Sequence, residues 1–214
     1  MKKHIRIIAT IICCSILFQK SLQLVSAEES NSKFHNFFES AVLSDSFYAN
    51  DEYGNDITEQ VKMMYDSKGI NEVYDYLRSN SGAVGYDEIL TAPPTRAVDE
   101  TKTVYNYQYV LETDTKGRYT KEWQTKLVGT IYMNGNTGLI KRAGTPTIYL
   151  TYTNFGASFS PYMSSVSTHS SSTSSYATFS ATYHMYATLS ISIGDLPLGY
   201  TLDFKQHTHS FTSN

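Results

Sequence analysis

The sequence predicts an α+β fold in which a short helical N-terminal segment precedes an antiparallel β-sandwich or barrel-like domain. Three observations lead to this prediction. Apolar residues recur at helical spacing in the first part of the chain and at every second position after residue 100. Strand candidates then follow one another with turn residues rather than helices between them, which favours antiparallel pairing. Residues 177–193 alternate without interruption between apolar side chains and hydroxyl-bearing or histidine side chains.

Residues 1–27 are predicted to be a secretory signal peptide. Three basic residues open this segment, residues 7–18 are apolar, and small residues precede the expected cleavage point after Ala27. The apolar stretch is too short for a stable membrane span. We therefore expect a secreted, extracellular protein, and the Lys-rich leader suggests a Gram-positive source.

Cysteine usage and charge narrow the class of protein further. Cys13 and Cys14 both lie in the leader, so the secreted chain has no disulfide and no thiolate metal ligand. Its stability must come from an ordinary buried core, for which the remaining chain is long enough. Without the leader's four basic residues, the chain has 13 basic and 20 acidic residues. This acidic balance excludes nucleic acid as a partner, because phosphates require a basic surface.

Residues 28–90 are predicted to be an acidic helical segment. Three stretches, NSKFHNFFESAVL, DITEQVKMMYDSKG and NEVYDYLRSN, carry apolar residues at intervals of three and four, and Gly69 ends the second stretch. Such stripes are typical of core packing. The expected core residues are Phe34, Phe37, Phe38, Ala41, Val42, Ile57, Val61, Met64, Tyr65, Val73, Tyr76 and Leu77.

Residues 91–100, TAPPTRAVDE, are predicted to be a Pro-rich linker, because adjacent prolines cannot continue a helix. Charge changes sign across it: residues 28–100 hold 15 acidic and 5 basic residues, whereas residues 101–142 hold 3 acidic and 7 basic ones. One hypothesis is that the N-terminal part is a pro-segment or autoinhibitory cap, held partly by charge and released by cleavage near Arg96. The alternative is a helical layer packed permanently on the sheet.

Residues 101–214 are predicted to form the antiparallel β-domain. The first two strands, TKTVYNYQYVLET and YTKEWQTKLVGTIYM, form a hairpin with Gly117 in its turn. Later strand candidates are TPTIYLTYTNF, residues 177–193 and YTLDFKQHTHSF. The turns between strands are NGNTG and GDLPLG, and the Ser/Thr-rich residues 164–175 are expected to be a mobile loop.

Residues 177–193 suggest a membrane function. At about 3.3 Å per residue they would extend for roughly 55 Å, and they carry no charge. A membrane-spanning strand needs only about 9 to 11 residues with one apolar and one polar face. In periodicity alone, the stretch resembles the Ser/Thr-rich amphipathic hairpins of β-pore-forming toxins. The resemblance implies a membrane-active, pore-forming or antimicrobial effector with membrane lipid as its partner. The plainer alternative is a strand that packs on a core with one face and meets water with the other.

A second function class is glycan or cell-wall binding. Tyr105, Tyr107 and Tyr109 alternate along one predicted strand face. Their rings offer flat apolar surfaces with polar tips, on which sugars stack. Tyrosine is also a common strand residue for reasons of packing alone. The pattern predicts an envelope polymer as the alternative partner.

Metal and catalytic sites find little support in the sequence. His207 and His209 lie two residues apart and could bind one metal ion, with His169 or His184 as a third ligand. Charged residues on the same predicted face indicate solvent exposure instead, so no metal ligand is assigned.

No catalytic residue and no cofactor site is assigned either. A Ser–His–Asp triad needs no proximity in sequence, but the chain has no G-x-S-x-G motif, so a secreted hydrolase is a remote alternative. The sequence thus predicts a non-enzymatic protein that acts through its β-surface on a membrane, a cell envelope or a partner.

Overall fold

The computed structural model describes residues 31–90, 99–156, 158–193 and 196–214, and within these ranges it leaves the side chains of residues 90 and 190–198 undescribed. The predicted signal peptide and residues 91–98 of the predicted linker lie outside the described residues. Within the described part of the chain, no helix is both long enough and apolar enough to cross a membrane.

The described residues form three helices and nine strands. The helices are α1 (31–42), α2 (Thr58–Lys68) and α3 (Ile70–Ser79). Gly69 separates α2 from α3 with a positive φ of 86° that favours glycine. The strands are β1 (Tyr48–Asn50), β2 (Ala83–Leu90), β3 (Asp99–Thr113), β4 (Thr120–Asn134), β5 (Ile140–Ala143), β6 (Thr147–Asn154), β7 (Phe159–Ser172), β8 (Ala177–Ile193) and β9 (Leu196–Ser213).

The strands form two antiparallel sheets. Sheet A has the order β1-β2-β3-β4, and the far edge of β4 is shared by β6 and β5. Sheet B has the order β7-β8-β9. The prediction of an antiparallel β-domain accompanied by short helices is confirmed. The barrel-like alternative is wrong, because the two sheets do not close into a barrel.

The N-terminal segment is not helical throughout, in contrast to the prediction from its apolar spacing. It also contributes β1 and β2 to sheet A, and β2 pairs with β3 along its whole length, from Ala83 opposite Val110 to Leu90 opposite Thr103. The segment and the hairpin β3–β4 therefore share one sheet. Removal of residues 28–96 would strip two strands and the helices from that sheet, which favours the alternative of a permanently packed layer.

Other elements pack against both faces of sheet A, so the described residues form two hydrophobic cores. One core lies between sheet A and the three helices. Its fully buried members include Phe34, Phe38, Ala41, Ala49, Val61, Val73, Leu77 and Val84. The other core lies between sheets A and B. Its fully buried members include Trp123, Leu127, Ile131, Ala177, Phe179, Ala181, Tyr183, Met185, Ala187, Leu202 and Phe204.

Strand β8 confirms the prediction of a continuous strand over residues 177–193, and its two faces differ in burial where its side chains are described. Its odd-numbered residues from Ala177 to Ala187 are fully buried against sheet A, whereas the even-numbered residues between them are half-buried. The Trp123 indole of β4 donates a hydrogen bond of 3.0 Å to the Tyr183 hydroxyl and so ties the two sheets together.

Two turn predictions in sheet B are wrong. Most of the Ser/Thr-rich stretch 164–175 is not a loop, because β7 continues to Ser172 and pairs with β8. The connection predicted at GDLPLG is shorter than expected, because β9 already begins at Leu196. Residues 194 and 195 lie outside the described residues.

Gly129 of β4 is expected to tolerate no side chain. A Cβ at this position would lie 2.7 Å from the ring of Phe179, which packs directly over the glycine. We predict that Gly129→Ala lowers the free energy of unfolding by about 1–3 kcal/mol through overpacking. Urea denaturation followed by tryptophan fluorescence measures this change. Gly199→Ala in β9 is the control, since a Cβ added there would have no other atom within 4 Å. Equal stability of the two variants would contradict the prediction.

Candidate functional site

The helices cover only part of the outer face of sheet A, and this divides the predicted tyrosine row. Tyr109 is buried beneath α1, with its ring 5.5 Å from Phe34 and 5.4 Å from Phe37. Tyr107 and Tyr105 lie further along β3 and are half-exposed. The sequence prediction grouped the three tyrosines, but the structure leaves two of them accessible.

These two residues belong to a larger surface that we name the tyrosine–cation face. It lies on the side of sheet A that carries the helices. Register places Lys126 of β4 between Tyr107 of β3 and Tyr149 of β6, and places Arg142 of β5 opposite Tyr132. Directly paired residues of neighbouring strands project on the same side of a sheet. The face comprises Tyr86, Tyr105, Tyr107, Lys126, Tyr132, Arg142 and Tyr149.

One end of the face is held by a connected set of ring and hydrogen-bond contacts. Tyr86 and Tyr107 stack with ring centroids 5.4 Å apart and an interplanar angle of 22°. The Tyr107 hydroxyl donates to Glu88 Oε2 at 3.1 Å. Lys126 Nζ lies 3.8 Å from the ring centroid of Tyr105 and 5.1 Å from that of Tyr107. A hydrogen bond with Tyr107 raises the pKa of Lys126, so this residue is a cation at neutral pH.

The other end carries a second cation on an aromatic ring. The Arg142 guanidinium carbon lies 3.5 Å from the ring centroid of Tyr132. Lys126 and Tyr132 are six residues apart on β4, which corresponds to roughly 20 Å at 3.3 Å per residue. The face is therefore an extended strip rather than a pocket, and Tyr149, directly opposite Lys126, is exposed.

Sequence reasoning identifies Tyr105 and Tyr107 but misses the other members of the face. The signal for Lys126 is present, because a hairpin turn at Gly117 sets Tyr107 opposite Lys126. Tyr86 cannot be found in this way, since it lies in the segment that the sequence predicts to be helical.

The predicted exposure of His209 is wrong. Lys205 has a positive φ of 72°, and the pairing of β8 with β9 shifts register there, between His184 and Tyr186. This β-bulge brings His209 to the same side as Phe204, where it is fully buried. An alternating pattern cannot reveal such a shift.

His209 bridges the two sheets as a neutral side chain. Asn106 Oδ1 only accepts hydrogen bonds, so His209 Nε2 donates to it, and His209 Nδ1 accepts from Thr125 Oγ1 at 2.9 Å. Burial lowers the pKa of His209 to about 3. Asn106 in turn donates to Asp87 Oδ1 at 2.5 Å, which continues the network across sheet A.

His207 is half-buried and also engaged within the protein. Its ring packs edge-on against Trp123 at 5.0 Å, and its Nε2 donates to the Phe204 carbonyl oxygen at 2.8 Å. Burial lowers its pKa to about 4. Among the described residues, no group of three or more histidine, cysteine, aspartate or glutamate side chains could hold a metal ion.

The outer face of sheet B is rich in hydroxyl groups and surrounds His184. His184 Nε2 lies 2.6 Å from Asp203 Oδ1, and its ring stacks on Tyr186 at 4.3 Å. Ser164 is the residue of β7 directly opposite His184. Within the described part of the chain, no serine hydroxyl forms a hydrogen bond with His184. This histidine and Asp203 therefore form a pair without the third member of a triad.

Comparison of the chain with protein-family models, curated proteins and solved structures finds no significant match.

We expect the free energy of unfolding to depend on pH because of His207 and His209. An unfolded histidine takes up a proton near pH 6.5, whereas folded His207 and His209 do so only near pH 4 and 3. The stabilisation that depends on their neutral form is present above pH 6.5 and is lost progressively as the pH falls below it. We predict that His209→Asn shows a clearly smaller loss of unfolding free energy between pH 6.5 and 4 than the wild type.

Urea unfolding at pH 7, 5.5 and 4 measures this difference. Burial raises the pKa of Asp87, which gives a contribution of opposite sign, but this residue is present in both proteins. His169→Asn, at an exposed position of β7, is the matched control and should retain the wild-type dependence. The same dependence in the wild type and His209→Asn would contradict the prediction.

Proposed function

We propose that this is a secreted, non-enzymatic protein that binds a cell-envelope polysaccharide through its tyrosine–cation face. The observation that carries the proposal is the row of partly exposed tyrosine rings at the edge of the helical layer and beyond it. Tyr86 packs against Phe37 of α1, whereas Tyr105 and Tyr149 lie outside the helical core. Tyrosine combines a flat apolar ring with a polar hydroxyl, which suits both the apolar faces and the hydroxyl groups of a sugar. A strip of roughly 20 Å suits an extended polymer better than a small molecule.

The arrangement of the rings supports binding because they are held in place before a ligand arrives. Tyr107 is fixed by its stack on Tyr86 and by its hydrogen bond to Glu88. Side chains that are already ordered lose little conformational entropy on binding. The rings also stand on paired strands rather than on loops, which keeps their spacing constant.

The membrane-active alternative has weaker support from the geometry. Residues of β7 and β8 that are directly paired share one side of sheet B, and they include Ser170 opposite Phe179 and Thr168 opposite Ala181. A hairpin of β7 and β8 inserted in a bilayer would therefore place hydroxyl groups on its lipid-facing side. The apolar side of β8 already serves as the core between the two sheets.

Binding to purified bacterial cell walls tests the proposed function. We predict that the wild type co-sediments with walls and that Tyr105→Ala weakens this binding by about tenfold, as expected for the loss of one aromatic contact of about 1.4 kcal/mol. Tyr176→Ala is the control, since this tyrosine is 45% exposed at the turn between β7 and β8, away from the face. Thermal denaturation establishes that both variants are folded.

Two outcomes would contradict the proposal. One is the absence of binding to any wall preparation at micromolar protein. The other is an equal loss of binding in the Tyr105 and Tyr176 variants. Dye release from liposomes, run in parallel, would favour the membrane-active alternative if it occurs without wall binding.

A further inference from the structure

The charges of residues 101–142 are distributed unequally between the interior and the surface. This stretch contains seven basic and three acidic residues. The acidic ones, Glu112, Asp114 and Glu122, are only 4%, 3% and 4% exposed. The surface that this part of the chain presents to solvent therefore carries cations without acidic residues of its own.

Each of these three carboxylates is engaged inside the fold. Asp114 accepts from the backbone amides of Arg118 and Tyr119 in the turn between β3 and β4. Glu122 accepts from the Tyr109 hydroxyl at 2.8 Å and from the Asn154 amide. Burial raises the pKa of Glu122.

Glu112, the third carboxylate, lies 3.5 Å from Lys205 Nζ of β9, on the side of β3 that faces sheet B. All three acids thus interact with groups outside the tyrosine–cation face.

The acidic N-terminal segment places one exposed carboxylate, Glu88, beside the face, where its charge helps to raise the pKa of Lys126 but forms no ion pair with it. Among the described residues, the ion pair that links positions 31–90 to the rest of the chain joins Glu52 to Lys205 at 3.7 Å. No carboxylate of the described residues lies within 4 Å of the charged nitrogens of Lys126 or Arg142. The hypothesis that charge attraction holds the N-terminal segment on the hairpin therefore has no ion pair in the described structure to support it.

We propose that the ligand of the tyrosine–cation face is an anionic polysaccharide, a polymer that carries phosphodiester or carboxylate groups at intervals. This inference rests on the proposed function and adds the chemical class of its ligand. Lys126 and Arg142 contact separate anionic groups of one chain, and the tyrosine rings between and beside them contact its sugars. The charge complementarity arises from Lys126 and Arg142, neither of which forms an ion pair with a carboxylate of the described residues, although the protein without its predicted leader carries a net negative charge.

The two cations differ in what they can bind. The Arg142 guanidinium packs on the ring of Tyr132, and a guanidinium can donate two parallel hydrogen bonds to a phosphate or carboxylate. Lys126 is a compact charge held beside two tyrosine rings. Glu88, which pairs with Tyr105 and so lies on the same side of sheet A, accepts from the Tyr107 hydroxyl, and its charge raises the pKa of Lys126. The backbone positions that carry the two cations lie roughly 20 Å apart along the sheet, which favours a repeating polymer over a single small anion.

The test compares walls that retain their phosphodiester-linked polymers with walls from which these polymers have been removed by hydrofluoric acid. The proteins are the wild type, a double variant with Lys126→Gln and Arg142→Gln, and a control with Lys33→Gln and Lys68→Gln. The control removes the same charge from exposed positions on the helices. Affinities are measured between 50 and 300 mM salt.

We expect the wild type and the control to bind intact walls at least tenfold more tightly than stripped walls. For intact walls, this affinity should fall steeply with salt, because binding to a polyanion releases its counterions. The double variant should bind intact walls at least tenfold more weakly than the wild type, with a reduced dependence on salt. On stripped walls, the three proteins should bind alike.

One result would overturn this inference without failure of the proposed function. Equal binding of the wild type to intact and stripped walls, with no effect of the double variant, would assign a neutral polysaccharide to the face and leave the proposed function standing. Undiminished binding of Tyr105→Ala to intact walls would instead contradict the proposed function, because the interaction would then depend on charge alone. Absence of binding to both wall preparations would refute the proposed function itself.

Discussion

The difference in length between the helical layer and the sheet beneath it determines the surface of this protein. Strands β3 and β4 each have 15 residues, which corresponds to roughly 50 Å. Helices α1, α2 and α3 have 12, 11 and 10 residues and are each only about 15–18 Å long. A large part of the sheet face must therefore meet water directly. Side chains with an apolar body and a polar end are suited to this position, and tyrosine, lysine and arginine occupy it.

The hairpin β3–β4 has the helices on one face and sheet B on the other, and these neighbours determine where its charged side chains lie. Toward sheet B, the hairpin contributes apolar side chains and the buried polar residues Asn106 and Thr125, which meet His209. Its carboxylates enter the interior because neighbouring hydroxyl, amide or ammonium groups bind them there. Its cations have long side chains and reach solvent. The hairpin thus buries its negative charges and exposes its positive ones, although the whole chain has no excess of basic residues.

Elements with strong periodicity can be predicted from the sequence, and elements defined by pairing cannot. Strand β8, the hairpin around Gly117 and the helical stripe of Phe34 and Phe38 follow from apolar spacing alone. Strand β7 could not be predicted because its second half is mostly serine. It forms a strand through its pairing with β8. The inward position of His209 depends on the bulge at Lys205, which exists only in the pairing with β8.

The same limit on prediction from the sequence applies to single residues of the candidate site. Tyr105, Tyr107 and Tyr109 are equivalent in the sequence pattern, and they project from the same side of β3. Tyr109 differs only because α1 places Phe34 and Phe37 against it, whereas no helix reaches Tyr105. The position at which a helical layer ends above a sheet depends on tertiary packing. The alternation of apolar and polar residues does not encode this position. The same boundary that buries Tyr109 in the core leaves Tyr105 and Lys126 available to a ligand.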